Sequence, residues 1–285
     1  MARAKGSGLS VPAVFLRLVP GFLLLLLSSG CISEAREQEM GDEMAEDINR
    51  QIPLVNEPLL NHYVTTLGNS LTEVSDRPDL DYRFYIINSA MVNAFALPGG
   101  HTYITRGLLQ RTETGKELAG VLAHEIGHVA ARHGVQKLQR HLRTGSVVNM
   151  LYNVILGGEP ELLRRNSLQL AGVVWSASHS REDEEEADRL AVEYLTRAGI
   201  DPEGIVTLLE TLMEDGAEDT SRIAGWFSTH PMTSERIAVA QEEIALSQPE
   251  EATPPAIERR IASFPVFLRL LAALPPPPDA HVYNN

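Results

Sequence analysis

Two histidines four residues apart, with a glutamate beside the first, are the residues of this sequence best suited to chemistry. His124, Glu125 and His128 form an H-E-x-x-H pattern. The pattern lies in a stretch predicted to be helical, from a cap at Thr114 to a stop at Gly134. Four helical residues turn through about 400°, so both imidazoles project from one face, about one turn apart. Two such nitrogens suit a zinc ion and leave room for a third protein ligand and a water.

Glu125 is predicted to have a different role from the two histidines. Its carboxylate lies where it reaches the metal-bound water rather than the metal. Zinc lowers the pKa of its water towards about 7, so Glu125 can act as a general base while that water attacks a peptide carbonyl. The alternatives are a chance match to a short pattern, which the helical context disfavours, and a structural zinc site. Structural sites usually close with cysteines, and Cys31 is the only cysteine in the chain.

The third metal ligand must come from elsewhere in the chain. The acid-rich run Ser180 to Asp188 offers several carboxylates, and spacing alone does not choose among them. A run this dense is most often a solvated helix face. It is predicted to open a helix from Arg181 to Arg197 that ends at Gly199, and the next helix is predicted to start with Asp201 as its cap and Pro202 in its first turn.

The motif and the acidic run together resemble a known family. His124-Glu125-Ile-Gly-His128, followed by Glu184-Glu-Glu-Ala-Asp188, is similar to the gluzincin family of HtpX, the CAAX prenyl endopeptidase and the barrel-assembly-enhancing proteases. The resemblance implies that Glu184 is the third zinc ligand and that Asp188 orients a zinc-bound histidine. It also implies an α+β, predominantly helical, zincin-like metallopeptidase domain with a small mixed β-sheet against the metal-binding helix.

A segment before the motif strengthens the resemblance. Val92 to Gly100, leading into Tyr103 and Ile104, is similar to the family's stretch before and within the strand beside the active-site helix. An edge strand there could pair with an extended substrate through main-chain hydrogen bonds. Asn93, Gly100, Tyr103 and Ile104 are therefore predicted to bind substrate, with an ordinary structural turn and strand as the alternative.

A late segment also matches the family. Ser228-Thr229-His230-Pro231, with Arg236 and Ile237 beyond, is similar to the T-H-P loop, whose histidine approaches the zinc in some relatives and can hold the enzyme latent. His230 is accordingly predicted either near the metal, with a catalytic role, or in a surface or capping role.

The remaining histidines are predicted to lie outside the site. His133 follows His124 by nine residues, half a turn out of phase on a continuous helix, so it should point away from the metal. The others are expected to be surface or structural residues: His62, His101, His141, His179 and His281.

Periodicity predicts the other elements. Two amphipathic helices are expected between Ser33 and Ser75, and strands at Tyr82 to Ile87 and Thr102 to Thr105. The short apolar stretches Ser146 to Leu156 and Leu168 to Trp175 are interpreted as buried helices or as a lid or membrane-touching element.

The first thirty residues have the layout of an export signal, with basic residues before a leucine-rich stretch. The order Leu27 to Cys31 resembles a bacterial lipobox, which would make Cys31 the acylated first residue of the mature protein. Ser28 stands where the lipobox usually has Leu, so simple cleavage or an uncleaved anchor are the alternatives. Ile32 rather than Asp after the cysteine, by resemblance to enteric lipoproteins, favours the outer membrane.

These features predict three segments and one class of function. Residues 1–30 are predicted to be a lipoprotein-type signal peptide, 31–248 a zinc metallopeptidase domain and 249–285 an extended or disordered Pro-rich tail including Pro275 to Pro278. The net charge of −14 repels phosphate backbones and disfavours nucleic acid as a partner. The sequence shows neither a tetratricopeptide array nor a pair of long transmembrane helices, so it resembles the compact lipoprotein members of the family.

The leading hypothesis is an endopeptidase of the bacterial periplasm that cuts unfolded or misassembled cell-envelope proteins, with one Zn²⁺ per chain and a lipid anchor in the outer membrane. One rival is a holdase or assembly factor that keeps the fold and metal but rarely cuts, with His230 closing the fourth coordination position. A weaker rival is a membrane-surface scaffold in which Ser146 to Leu156 contacts lipid.

Overall fold

The computed structural model describes residues 32–143, 179–218, 220–231, 234–247 and 254–278. Helices make up most of these ranges, and they pack with one small sheet. This confirms the predicted α+β, predominantly helical fold class. The helices are α1 (Glu34–Asn49), α2 (Pro58–Thr72), α3 (Arg106–Leu109), α4 (Gly115–Ala130), α5 (His133–Arg143), α6 (Arg181–Arg197), α7 (Glu203–Glu218), α8 (Thr220–Thr229), α9 (Ser234–Leu246), α10 (Pro255–Ala262) and α11 (Phe264–Ala273).

The sheet has three strands in the described part of the chain: β1 (Arg83–Ile87), β2 (Ala94–Ala96) and β3 (His101–Thr105). Their order is β1-β3-β2, with β3 parallel to β1 and antiparallel to β2. The two strands predicted from β-branched and aromatic residues are present, and the sequence missed β2. The prediction that Tyr103 and Ile104 lie on an edge strand is wrong, because β3 is paired on both sides.

Helix α4 lies in the centre of the domain. Thr114 caps it by accepting a hydrogen bond from the Glu117 amide over 3.2 Å, and Glu117 accepts from the Glu113 amide over 2.6 Å. Fourteen of its sixteen residues are buried, because α6, α7, α2 and the sheet pack around it. A helix covered on all sides holds its side chains in fixed positions, which a metal site requires.

Helix α4 ends earlier than predicted. The stop lies at Arg132, a non-glycine residue with φ of 60°, and Gly134 instead lies inside α5. Arg132 donates to the buried carboxylate of Glu37 over 2.9 Å, and Arg77 donates to the same carboxylate over 2.9 Å. This contact with α1 supports a backbone conformation that costs energy in a non-glycine residue.

The predicted helix over Arg181 to Arg197 is confirmed. Ser180 and Asp183 form a capping box at its start, and Gly199 follows its end with φ of 68°. Asp201 then accepts from the amide of Glu203, the first residue of α7, over 3.1 Å. These ends are set by local side-chain chemistry, which is why the sequence located them.

The prediction of an extended tail is wrong for residues 255–273. They form α10 and α11, and Phe264, Phe267 and Leu271 are buried against the domain core. The apolar spacing of three and four residues here is that of a helix face, which the neighbouring prolines concealed. The predictions for Ser146 to Leu156 and Leu168 to Trp175 fall outside the described residues. Among described helices, none has the length and apolar character needed to cross a bilayer.

Candidate metal centre

The three residues predicted to bind metal lie together. His124 and His128, on α4, bring their Nε2 atoms to 3.0 Å from each other. Glu184, in the first turn of α6, places its carboxylate oxygens 3.3 Å from His128 Nε2 and 3.6 Å from His124 Nε2. All three side chains are buried. The acidic run is therefore not simply a solvated face, because Glu184 points into the interior.

His230 is the fourth member of this cluster. It directly follows α8, and its Nδ1 lies 3.1 Å from Glu184 Oε1 and 3.4 Å from His124 Nε2. The ligand atoms of the four side chains all lie within 4.8 Å of one another, so the cluster could hold a metal ion. Of the two placements predicted for His230, the structure has the one beside the cluster. Trp226 stacks on its ring with centroids 4.4 Å apart and fixes its plane.

Helices α4 and α6 approach closely at this point because one residue lacks a side chain. A Cβ at Gly127 would lie 3.0 Å from the main-chain oxygen of Ala187. Glycine therefore lets α6 come near enough for Glu184 to reach the two histidines of α4.

Asp188 lies one turn after Glu184 and contacts the far side of His124. Its Oδ1 is 2.8 Å from His124 Nδ1, so the Nε2 atom of that ring is left facing the cluster. Arg236, from α9, donates to Asp188 and also approaches Glu184 Oε2 at 2.7 Å. The sequence had marked Arg236 only as part of the late loop motif, and no local pattern predicts its contact with both carboxylates.

The protonation states of His128 and Glu184 suit a cation. Burial lowers the pKa of His128 well below its usual value, so the ring is neutral at pH 7 and offers a lone pair. Burial alone would raise the pKa of Glu184, but the positive charges of His230 and Arg236 outweigh it and hold that pKa well below its usual range. Two imidazoles and one carboxylate are the donors that zinc takes in catalytic sites.

Glu125 lies beside the cluster rather than in it. Both carboxylate oxygens are buried without a hydrogen-bond partner among the residues that the structure describes, and Oε1 lies 3.5 Å from His230 Nε2. Burial raises the pKa of this carboxyl group. An unpartnered buried carboxylate costs free energy, so natural proteins keep one mainly where a reacting group needs it.

Two histidines that the sequence placed outside the site contact His128. His133 Nδ1 is 2.8 Å from His128 Nδ1, so the prediction that His133 points away is wrong. The phase argument assumed one continuous helix, whereas the chain breaks at Arg132 and turns His133 back. His179 stacks on the His128 ring with centroids 3.8 Å apart.

The other histidines in the described ranges lie elsewhere. His101 is buried in β3, where it contacts Asp42 and Tyr85 over 2.9 and 3.2 Å. His62 is exposed on α2. Both placements agree with the surface or structural roles predicted for them. His281 and the side chain of His141 fall outside the described part of the chain.

The residues predicted to bind substrate hold the sheet together. Tyr103 is buried and donates from its hydroxyl to Asn49 over 3.0 Å, and Asn93 accepts from the Thr229 hydroxyl over 3.1 Å. Ile104 is buried in the core, and Gly100, with φ of 94°, packs against Tyr82. The side chains of Asn93, Tyr103 and Ile104 are therefore buried, and among the described strands β2, rather than β3, is the edge strand on this side of the sheet.

The edge strand β2 lies against α4. Its neighbours along the chain, Asn93 and Leu97, bond to β3 at Thr105 and His101. By the alternation of an antiparallel ladder, the main-chain groups of Ala94 and Ala96 point the other way, towards the site. The Ala94 oxygen lies 3.2 Å from His230 Nε2.

Sequence comparison identifies relatives of this chain. Residues 58–244 match the profile of Peptidase family M48. The chain is 31% identical over 223 residues to the beta-barrel assembly-enhancing protease of Escherichia coli K12, covering 76% of this chain and 46% of that protein. It is 29% identical over 224 residues to the metalloprotease LoiP of the same organism, covering 74% and 84%.

A eukaryotic relative shows similar identity. The chain is 29% identical over 211 residues to the mitochondrial metalloendopeptidase OMA1 of Schizosaccharomyces pombe, covering 74% of this chain and 60% of that protein. The match thus spans less than half the length of the barrel-assembly-enhancing proteases. The profile match includes every residue of the cluster and most of the chain, and on that ground the chain belongs to Peptidase family M48.

Proposed function

We propose that this chain is a zinc-dependent metalloendopeptidase in which His124, His128 and Glu184 hold one Zn²⁺ and Glu125 is the general base. The observation that carries the proposal is the buried Glu125 carboxylate, which has no hydrogen-bond partner among the described residues and lies beside three converging metal donors. The donor set fits zinc, because nitrogen and carboxylate oxygen ligands with one position left open are typical of its catalytic sites.

In peptide hydrolysis, Glu125 and Asp188 have different roles. Bound zinc supplies Lewis-acid chemistry, activating water and polarising the scissile carbonyl. Glu125 takes a proton from the attacking water as the water oxygen bonds to the carbonyl carbon, and returns it to the amide nitrogen as the C–N bond breaks. Asp188 accepts from His124 Nδ1, which keeps His124 Nε2 unprotonated and turned towards the cluster.

The edge of β2 supports an extended substrate. The main-chain groups of Ala94 and Ala96 are those that a peptide would pair with as an added strand. Pairing through the main chain selects an extended conformation rather than a particular side chain. This supports unfolded or misassembled proteins as the substrate class.

The proposed cellular setting is supported by the sequence and by the names of relatives. A barrel-assembly-enhancing protease is among the relatives, and the leader 1–30 with Cys31 is consistent with a lipoprotein. We therefore propose that the protein acts on cell-envelope proteins in the bacterial periplasm, anchored through Cys31 to the outer membrane.

A latent resting state is the second candidate. His230 Nδ1 lies 3.1 Å from Glu184 Oε1 and 3.4 Å from His124 Nε2, so His230 can occupy the position that a water would need. In that state the protein would bind chains without cutting them, as a holdase does. The position of His230 is the observation that favours this candidate.

Casein digestion by the full chain tests both candidates. If the proposal is right, the chain cuts casein, a chelator abolishes cutting and zinc restores it, and Glu125→Gln lowers the rate by about 10²–10⁴-fold while retaining zinc. If the resting state is latent, only His230→Ala cuts, and the double variant with Glu125→Gln does not. No cutting by either zinc-loaded form would contradict the peptidase proposal and favour the holdase.

A further inference from the structure

His133 makes a hydrogen bond that the proposed chemistry does not yet use. Its Nδ1 lies 2.8 Å from Nδ1 of His128, and its side chain is buried. Two ring nitrogens at that distance share one proton, so one ring donates and the other accepts. Which ring donates decides what His128 can do with its other nitrogen.

Only one of the two proton arrangements allows His128 to bind a metal. A neutral imidazole carries one proton, and a histidine that ligates a metal does so in this neutral form, through the nitrogen that lacks the proton. If His128 donates from Nδ1, its Nε2 has a free lone pair facing Glu184. If His133 donates instead, the proton of His128 must lie on Nε2, and that atom cannot ligate a metal.

The surroundings of His133 favour the metal-binding arrangement. When Nδ1 of His133 accepts, its own proton lies on Nε2. That atom is 3.3 Å from Glu186 Oε2, to which it can donate a hydrogen bond, and 3.7 Å from Asp183 Oδ1, whose negative charge favours a proton there. Both acids belong to α6, the helix that also carries Glu184.

We propose that His133 is a positioning residue that fixes the orientation and tautomer of His128. This inference rests on the proposed function, because it assumes that His128 Nε2 is a zinc ligand. His133 orients the ring of His128 as Asp188 orients that of His124. The group that accepts the hydrogen bond is an imidazole nitrogen in the first case and a carboxylate in the second. The acidic run then supplies Glu184 to the cluster and Glu186 to the chain of hydrogen bonds behind it.

The backbone break at Arg132 is what makes this contact possible. On a continuous helix a residue five positions after His128 would lie about 140° away around the axis. The φ of 60° at Arg132 ends α4 and starts α5 in a new direction, with His133 as its first residue. Arg132 is tied to Glu37 over 2.9 Å, so the break is supported by α1.

Zinc affinity of the full chain, measured by competition with a chromophoric chelator, tests the proposal without relying on activity. His133→Leu removes the acceptor and is expected to weaken zinc binding about 10–100-fold. His133→Asn places an amide oxygen near the position of Nδ1 and is expected to restore affinity close to that of the wild type. His101→Leu is the matched control, since it removes a buried imidazole in β3 and should leave zinc affinity unchanged.

Cobalt substitution gives a second readout that a purely structural residue would not change. The d–d absorption of Co²⁺ depends on the geometry of its ligands, so His133→Leu should shift this spectrum, and His133→Asn and His101→Leu should not. If the leucine variant does not fold, His133→Ala takes its place with the same expected results.

The outcomes separate this inference from the proposed function. A wild-type chain that binds no zinc overturns the proposed function. If the wild type binds zinc tightly and the zinc Kd of His133→Leu lies within twofold of the wild-type value, the positioning role alone is overturned. It is also overturned if His101→Leu weakens zinc binding as much as His133→Leu does. A second zinc ion per chain that is lost with His133 would also overturn it, because His128, His133 and His179 would then form a metal site of their own.

Discussion

Arg236 forms a two-pronged ion pair with Asp188 in the interior of the protein. Its Nε donates to Oδ2 over 2.7 Å and its Nη2 to Oδ1 over 2.8 Å, and both side chains are buried. Its Nη1 also lies 2.7 Å from Glu184 Oε2. One guanidinium therefore balances the negative charge of two buried carboxylates, that of Glu184 in the cluster and that of Asp188, which orients His124.

Replacing Arg236 is expected to be among the most damaging single substitutions outside the cluster itself. Arg236→Leu leaves the carboxylates of Asp188 and Glu184 buried without their shared cation, which costs about 3–5 kcal/mol. Thermal or urea unfolding of the zinc-free protein measures this loss. Adding Asp188→Asn should recover part of it by removing one of the two anions. A zinc-free Arg236→Leu variant as stable as the wild type would contradict this account.

The cluster shows how far a sequence can locate a site. The positions of His124, His128 and Glu184 follow from helical periodicity and a family motif, and the structure brings them together. The helix starts after Thr114 and at Arg181 agree with the prediction, and α7 starts at Glu203, two residues after the predicted cap Asp201, because caps are local interactions.

The errors share a physical cause, which is that long-range contacts override local pattern. The position of His133 depends on a positive φ at Arg132 that Glu37, far away in the chain, supports. β3 is the central strand because it pairs with β2, and β2, with three residues, is too short to give a periodic pattern in the sequence. The contacts of Arg236 depend on packing between α6 and α9.

Gly127→Ala tests whether close approach of α4 and α6 is needed at the cluster. The new Cβ would lie 3.0 Å from the Ala187 oxygen, so α6 must shift, at a cost of about 1–3 kcal/mol. We expect weaker zinc binding and slower casein cleavage. Gly134→Ala is the control, because its Cβ would meet only Pro98 at an ordinary 3.4 Å and alanine favours the helix. Equal zinc affinity in the two variants would show that zinc binding does not need the close approach of α4 and α6.

Glu37→Gln tests the support behind the break at Arg132. Glu37 is buried and pairs with Arg77 and Arg132, so the loss of its charge should destabilise the protein by about 1–3 kcal/mol. Because Arg132 precedes His133, zinc affinity should fall as well. Glu39→Gln on the same helix is the control, since its ion pair with Arg36 is exposed and contributes little. Unfolding curves and zinc titrations of both variants, compared with the wild type, make the measurement. The account fails if Glu37→Gln behaves like Glu39→Gln.

Phe267→Ala tests whether α11 belongs to the domain. Phe267 is 2% exposed, and its ring lies 4.7 Å from that of Tyr63 on α2, centroid to centroid. Truncating a buried phenylalanine costs about 3–5 kcal/mol, so urea unfolding should shift to a clearly lower midpoint. The neighbouring Val266 is 47% exposed, and Val266→Ala should change the free energy of unfolding by no more than about 0.5 kcal/mol. If residues 255–273 were an extended tail, neither substitution would move the midpoint, whereas a packed α11 predicts that only the phenylalanine does.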